Sequence, residues 1–276
     1  MNALTVRINS ILTTVLLFLY AGCGVLNFVK MVMTNDAVIS LPSGIFLCLT
    51  VLLPTIVLLI HGIKQVKQKQ GVFDLVASVA TLLVSLVWAV LAVLNWLLVV
   101  ARNFILEFYY RMDLAMPVGD LLALLNYLNV AYTMITTVVA LYLLGIYLIS
   151  VLRAKQKWLQ IKAELHKPAV ALIILIPNLL SLINLILGRI LMNNVELGIM
   201  DLNAYVTYLR IYMYGSFALE MLLAIALAVF VLVFGLIIKK QATEQPEAAQ
   251  PEPQAEQSPS AFDDIPLPAG VNPDDL

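Results

Sequence analysis

Long apolar stretches without a charged residue occupy most of this chain. Five contain no charge and a sixth contains one acid, Glu220; they cover residues 8–29, 37–63, 75–101, 121–152, 168–188 and 211–238. A helix needs about 20 apolar residues to cross a bilayer, and within hydrocarbon a helix satisfies its own backbone amides. The sequence therefore predicts an all-α integral membrane protein with six transmembrane helices.

Composition excludes the common soluble classes. The chain of 276 residues is 62% hydrophobic and 12% charged, whereas an average soluble domain carries about 25% charged residues. We therefore expect the lipid bilayer to be its first partner. With so apolar a composition we expect no direct contact with nucleic acid, whose phosphates are bound mainly by Lys and Arg.

Charge divides the chain into two unlike parts. Residues 1–240 hold all 16 Lys and Arg and 9 of the 17 acids, while residues 241–276 hold the other acids and no base. The second part is rich in Pro, Glu and Gln, a composition that buries too little apolar surface to fold. We expect a polytopic transmembrane domain over 1–240 and a disordered acidic cytoplasmic tail over 241–276. The predicted spans are approximately 8–30, 42–63, 75–101, 121–152, 168–190 and 211–238.

The basic residues predict the orientation of the spans. Eleven of them lie on one side of the predicted bundle and five on the other. The side that is richer in Lys and Arg faces the cytoplasm. We therefore predict a multi-pass protein of a cytoplasmic (inner or plasma) membrane with both termini in the cytoplasm. The outer loops carry no glycosylation sequon and no paired cysteines, which favours a bacterial origin.

The first span has a second interpretation. Arg7, the apolar run that follows it and the small residues around Cys23 resemble a bacterial lipoprotein signal that ends at a lipidated cysteine. Tyr20 stands where that signal has Leu, and the apolar run resumes at Val25 instead of a polar tether. Six spans are the leading interpretation, and five spans with a lipidated Cys23 are the alternative.

The six spans predict three helical hairpins. Asn27, Asn95 and Asn184 each lie in an apolar core near the outer end of an odd-numbered span, and each even-numbered span ends at a Lys-Gln pair. A three-fold repeat of one hairpin produces this pattern. Chance matching in a sequence rich in Leu and Val is the alternative.

Five polar residues are candidates for a role inside the membrane. They are Asn27, Asn95, Asn184, Arg189 and Glu220. The amides either line a pore or site, or hold helices together by hydrogen bonds. Glu220 and Arg189 either take part in transport or reach the interface, where an Arg189–Glu220 or Lys30–Glu220 ion pair is a structural explanation.

The sequence also predicts kinks and close packing. Pro54 in the second span and Pro177 in the fifth remove a backbone donor, which kinks a helix. A ladder of small residues at four-residue spacing on the third span predicts close packing against a neighbouring helix. Its members are Ala77, Thr81, Ser85 and Ala89.

Catalytic motifs are absent from the sequence. The two histidines, His61 and His166, form no metal-ligand pair, and there is no Walker loop, nucleophile elbow or dinucleotide fingerprint. We therefore predict no enzymatic activity, no cofactor and no bound metal.

The tail contains one cluster of apolar residues among carboxylates. Its members are Phe262, Asp263, Asp264, Ile265 and Pro266, followed by Asp274, Asp275 and Leu276. The pattern is typical of a linear motif that docks in a basic groove. It resembles the acidic tip of bacterial single-stranded-DNA-binding proteins, in which Asp-Asp-Ile-Pro or Asp-Asp-Leu-Pro precedes a terminal Phe, and the resemblance implies docking onto a protein partner. This chain ends at Leu276 without that Phe, and a solvated acidic tail is the alternative.

These features give two functional hypotheses. The first is a membrane scaffold or accessory subunit without catalytic activity, which docks a cytoplasmic protein through its tail and belongs to a membrane-embedded oligomer or complex. The second is a small transporter or channel that uses the intramembrane Asn residues, Glu220 and the proline kinks.

Overall fold

The computed structural model describes residues 3–34, 41–68, 71–112, 118–154 and 158–244. Within these ranges the chain forms seven helices. They are α1 (Ala3–Thr34), α2 (Leu41–Lys67), α3 (Val72–Met112), α4 (Val118–Ala154), α5 (Trp158–Ala163), α6 (His166–Glu196) and α7 (Leu202–Glu244). The tail from residue 245 onward, with the motif predicted there, lies outside the described residues.

Six of the helices are long and apolar enough to cross a membrane, and α5 is a short connection between α4 and α6. The chain is therefore a multi-pass helical membrane protein by helix length and hydropathy. The prediction of an all-α chain with six membrane-crossing helices is confirmed at this level. The division into three hairpins and the orientation stay predictions.

Several helices are longer than the predicted spans. Helix α3 has 41 residues and α7 has 43, which at 1.5 Å per residue gives each a length of about 60 Å, roughly twice the hydrocarbon thickness. Helix α7 begins at Leu202, ahead of the predicted start at residue 211. Hydropathy locates only the apolar centre of this helix, because a single Arg210 does not end a helix whose neighbours favour helical structure.

Glycine marks two of the helix boundaries. Gly198 follows α6 with φ of 69°, and beside it the Ile199 N–H donates to the Asn194 carbonyl at 2.9 Å. Gly71 precedes α3 with φ of 81°. Residues with a Cβ atom rarely adopt these left-handed backbone conformations, whereas glycine adopts them without steric cost.

The helices pack in an antiparallel arrangement with one shared core. Helix α2 packs along both α1 and α3, and α4 packs along α6. Leu17, Val51, Leu143, Val170 and Ala224 come from five different helices and are almost completely buried in this core. Interlocked apolar side chains and close backbone approach hold such a bundle together in lipid.

One end of the bundle carries most of the described basic side chains, and we call it the basic end. Arg7, Lys64, Arg153 and Lys162 lie there, at the start of α1, the ends of α2 and α4, and in α5. The Arg153 guanidinium lies 3.7 Å from the centre of the Phe73 ring, which brings the end of α4 to the start of α3.

Three of the four residues in the small-residue ladder of α3 are buried, and the close packing predicted from the ladder is confirmed for them. Ala77, Thr81 and Ser85 are at most 8% exposed. Nearby, a Cβ placed on Gly62 of α2 would lie 3.4 Å from the Leu75 Cα of α3, so the two backbones approach closely. The Thr81 and Ser85 hydroxyls donate to carbonyls one turn earlier in their own helix. Their polar atoms are therefore satisfied inside an apolar contact.

Helix α7 approaches α1 closely at Gly235, which generates a prediction. A Cβ at Gly235 would lie 2.9 Å from the Ser10 Cβ, which cannot move without shifting α1. Gly235→Val should lower the unfolding free energy in detergent by about 1–3 kcal/mol through overpacking. Thermal unfolding followed by circular dichroism measures this as a lower Tm.

Gly215→Val is the matched control, because it lies on the same helix and a Cβ there meets no atom within 4 Å. Equal changes in Tm for the two variants would contradict the close contact between α1 and α7.

Candidate functional site: polar contacts inside the bundle

Glu220 lies near the middle of helix α7, 18 residues after Leu202, and nine residues into the apolar stretch 211–238. The Tyr20 hydroxyl, near the middle of α1, donates a hydrogen bond to Glu220 Oε1. Tyr20 is buried and Glu220 is half-buried. In the part of the chain that the structure describes, Glu220 therefore bonds to a neutral phenol on α1 and forms neither of the ion pairs expected with Lys30 or Arg189.

An aromatic cluster lies between the same two helices. The Phe28 ring of α1 packs edge-on against Tyr214 at 5.8 Å between ring centres, and stacks with Phe217 at 5.6 Å. Phe217 and Tyr214 precede Glu220 on α7 by three and six residues, about one and two turns. The carboxyl and the aromatic rings therefore share the α1–α7 contact.

The predicted asparagines have different environments. The Tyr208 hydroxyl of α7 donates to Asn184 Oδ1 of α6 at 2.9 Å, so Asn184 joins two helices. Asn27 and Asn95 are half-buried, and no hydrogen bond of either amide occurs among the described residues. Arg189 is exposed on α6. Hydrogen bonds do not join the three amides into a ring within the described chain.

Asn178, which follows the helix-internal Pro177, connects α6 to α4. Its Nδ2 lies 2.8 Å from the Thr137 Oγ1 and 3.4 Å from the Thr136 Oγ1. Both threonine hydroxyls donate to the Thr133 carbonyl, so their oxygens are available to accept from the amide. Asn178 is therefore a polar clamp between two helices.

Asn9 connects three elements near the basic end. Its Nδ2 donates to the Ala163 carbonyl of α5 at 3.1 Å and to the Pro54 carbonyl of α2 at 3.4 Å. Asn9 is 2% exposed, and its Oδ1 is buried without a described partner. Helix α2 remains continuous through Pro54, and this stretch of its backbone is the attachment point for α1.

His166 and Lys167 are buried at the start of α6, although the predicted spans leave both in the Lys-rich loop 153–167. The His166 Nε2 lies 3.5 Å from the Thr55 hydroxyl of α2, and its Nδ1 lies 3.3 Å from the Ala163 carbonyl. The Lys167 Nζ donates to Glu164 Oε2 at 3.0 Å, which neutralises its charge locally. The α5–α6 turn is therefore built into the bundle.

Sequence reasoning missed Asn9, Tyr20 and Tyr208. A signal for α1 was available: Asn9, Thr13 and Tyr20 recur at helical spacing on one face, as a polar face toward neighbouring helices requires. For Tyr208 no such signal exists, because a tyrosine near the end of an apolar helix is typical of a membrane interface.

No protein-family model, curated protein or solved structure matches this chain. Among the described residues, no group of three His, Cys, Asp or Glu is placed to hold a metal ion. The polar contacts inside the bundle are therefore the basis for a functional proposal.

The Asn178 clamp generates a prediction. Asn178→Ala removes the amide donor that reaches the two threonines, and an interhelical hydrogen bond of this kind contributes about 0.6–2 kcal/mol in a membrane protein. We expect the variant to unfold at a lower mole fraction of SDS in mixed micelles, with the helix content followed by circular dichroism.

Asn129→Ala is the control, because Asn129 is exposed on α4 and its side chain makes no hydrogen bond within the described chain. A loss of stability no larger for Asn178→Ala than for Asn129→Ala would rule out the clamp.

Proposed function

We propose that this protein is a polytopic membrane scaffold or accessory subunit without catalytic activity, which docks a cytoplasmic protein through its acidic tail. In this proposal it resides in a cytoplasmic membrane of bacterial type, with both termini in the cytoplasm, as the excess of Lys and Arg at one end favours. It acts as part of a membrane-embedded oligomer or complex.

The observation that supports this proposal is that polar side chains inside the bundle form hydrogen bonds between helices. Asn9, Asn178 and Asn184 each bond to another helix, and the Thr14 hydroxyl of α1 reaches the Ala228 carbonyl of α7 at 3.3 Å. Groups that form the wall of a transport path have to exchange partners, whereas these amides and hydroxyls are engaged in holding helices. These hydrogen bonds favour a structural role for the bundle, with the partner-binding segment in another part of the chain.

The tail is the segment proposed for recognition, and its removal generates a prediction. Deletion of 245–276 leaves α7 intact to Glu244 and should remove a specific cytoplasmic protein from the complex purified in mild detergent. Quantitative mass spectrometry of the purified complexes measures the loss, and we expect at least a tenfold decrease in that protein.

Two matched variants test the motif within the tail. Phe262→Ala with Ile265→Ala removes the apolar anchors and should reproduce the deletion, while Pro251→Ala with Pro253→Ala changes only the spacer and should not. An identical set of co-purified proteins for the full chain and the deletion would refute docking through the tail.

A transporter or channel is the second candidate function, and Glu220 is the observation that favours it. Ionisable groups inside a membrane are costly and are frequently functional. This carboxyl lies within the apolar stretch 211–238 of α7, and within the described chain it bonds to a phenol rather than to a basic side chain. The hydrogen bonds that the amide side chains form between helices do not explain why an ionisable carboxyl occurs at this position.

The transport candidate predicts a flux that depends on Glu220. Protein in liposomes that enclose a pH-sensitive dye should dissipate an imposed proton gradient at least tenfold faster than empty liposomes, and Glu220→Gln should abolish the difference. Glu196→Gln, at the exposed end of α6, is the control with the same change of charge. Undiminished flux in Glu220→Gln would exclude Glu220 from the path.

A further inference from the structure

The α1–α7 contact contains a group whose charge is not compensated by any described side chain. Glu220 accepts a hydrogen bond from Tyr20, and a phenol stabilises a carboxylate without bringing a positive charge. Transfer of an uncompensated carboxylate into hydrocarbon is strongly unfavourable. Glu220 must therefore carry a proton or have a cation beside it that does not belong to the described residues.

The surroundings of Glu220 favour one class of cation. Phe28, Tyr214 and Phe217 are half-buried rings that lie within about two helical turns of the Tyr20–Glu220 pair along the α1–α7 contact. Aromatic faces attract organic ammonium ions through their quadrupoles, and the attraction grows when the ligand is desolvated. A carboxylate combined with aromatic faces therefore suits a large cation with delocalised or shielded charge better than it suits a hydrated metal ion.

Apolar side chains that are exposed on the surface of the bundle border Glu220. Glu220 is half-buried, and its neighbours on α7, Leu219 and Leu222, are 44% and 65% exposed. A ligand that partitions into the membrane can reach the carboxyl between these apolar side chains without passing through water. This route again requires a lipophilic ligand.

We propose that the α1–α7 contact at Glu220 is a binding site for a monovalent lipophilic organic cation. The cation displaces the proton from the Glu220 carboxyl, while Tyr20 orients the carboxylate and the rings of Phe217 and its neighbours contact the ligand. This proposal adds a ligand class to the transport candidate. It requires only that the cation binds, not that the protein transports it.

The test measures binding of tetraphenylphosphonium to the purified full chain in nanodiscs by equilibrium dialysis. We expect saturable binding of one cation per chain. Because the proton competes for the same carboxylate, affinity should rise with pH, approaching tenfold per pH unit while the carboxyl is mostly protonated. Tetraphenylborate, which has a similar size and the opposite charge, should show no saturable binding above empty nanodiscs.

Variants assign the binding to this site. Glu220→Gln should abolish saturable binding and Glu196→Gln should leave it unchanged. Phe217→Ala should weaken it by about 2- to 5-fold, the factor that corresponds to a cation–π contribution of about 0.5–1 kcal/mol. The pH dependence of the unaltered protein needs no variant, so the test holds even if Glu220→Gln does not fold.

Each result decides for or against the site. Binding that is absent, independent of pH or equal in Glu220→Gln would overturn the proposal, and so would equal saturable binding of tetraphenylborate. Cation binding without flux in liposomes would support the site while removing the transport function. Proton flux without cation binding would remove the site and leave transport standing.

Discussion

The requirement that polar groups be paired in hydrocarbon governs this structure. An unpaired backbone amide or side-chain amide in lipid costs several kcal/mol, so the backbone forms continuous helices and the embedded polar side chains seek partners. Asn178 finds two threonines, Asn184 finds a tyrosine, and Asn9 finds two backbone carbonyls. Hydrophobic association contributes little between helices that are already in lipid. These few polar contacts and the close backbone approaches therefore specify which helices are neighbours.

Helix α1 makes polar contacts with three other helices. It presents Asn9 to α2 and α5, and Thr14 and Tyr20 to α7. Signal cleavage ahead of Cys23 would remove all three residues and leave the Glu220 carboxyl without its phenol. Such a loss of interhelical bonds would destabilise the remaining five helices, which is a physical argument for treating α1 as part of the mature bundle.

Hydropathy was sufficient to predict the number and type of the long helices, because in lipid one property decides both. Hydropathy could not predict which residues of neighbouring helices contact one another. From the sequence, Lys30 and Arg189 were the expected counter-charges for Glu220. Its hydrogen-bond partner is Tyr20 instead, because of the rotation of α1 against α7. That rotation cannot be predicted from helices that are apolar on all sides. His166 and Lys167 were misplaced for a related reason: a Lys-rich loop is typical of an exposed turn, and tertiary contacts with Thr55 and Glu164 bury them here.

Glu220 differs from the other embedded polar residues in its chemistry. An amide carries its own donor and acceptor and is satisfied by neutral neighbours, so Asn178 and Asn184 can serve packing alone. A carboxyl that accepts a hydrogen bond from a phenol is neutral only while it is protonated, and once ionised it requires a positive charge from outside the described bundle. A group with two states that differ in charge responds to protons or cations, whereas an interhelical amide has no such states. For packing alone a glutamine would serve as well, and the ionisable side chain at this depth therefore favours a ligand-responsive site within an otherwise structural bundle.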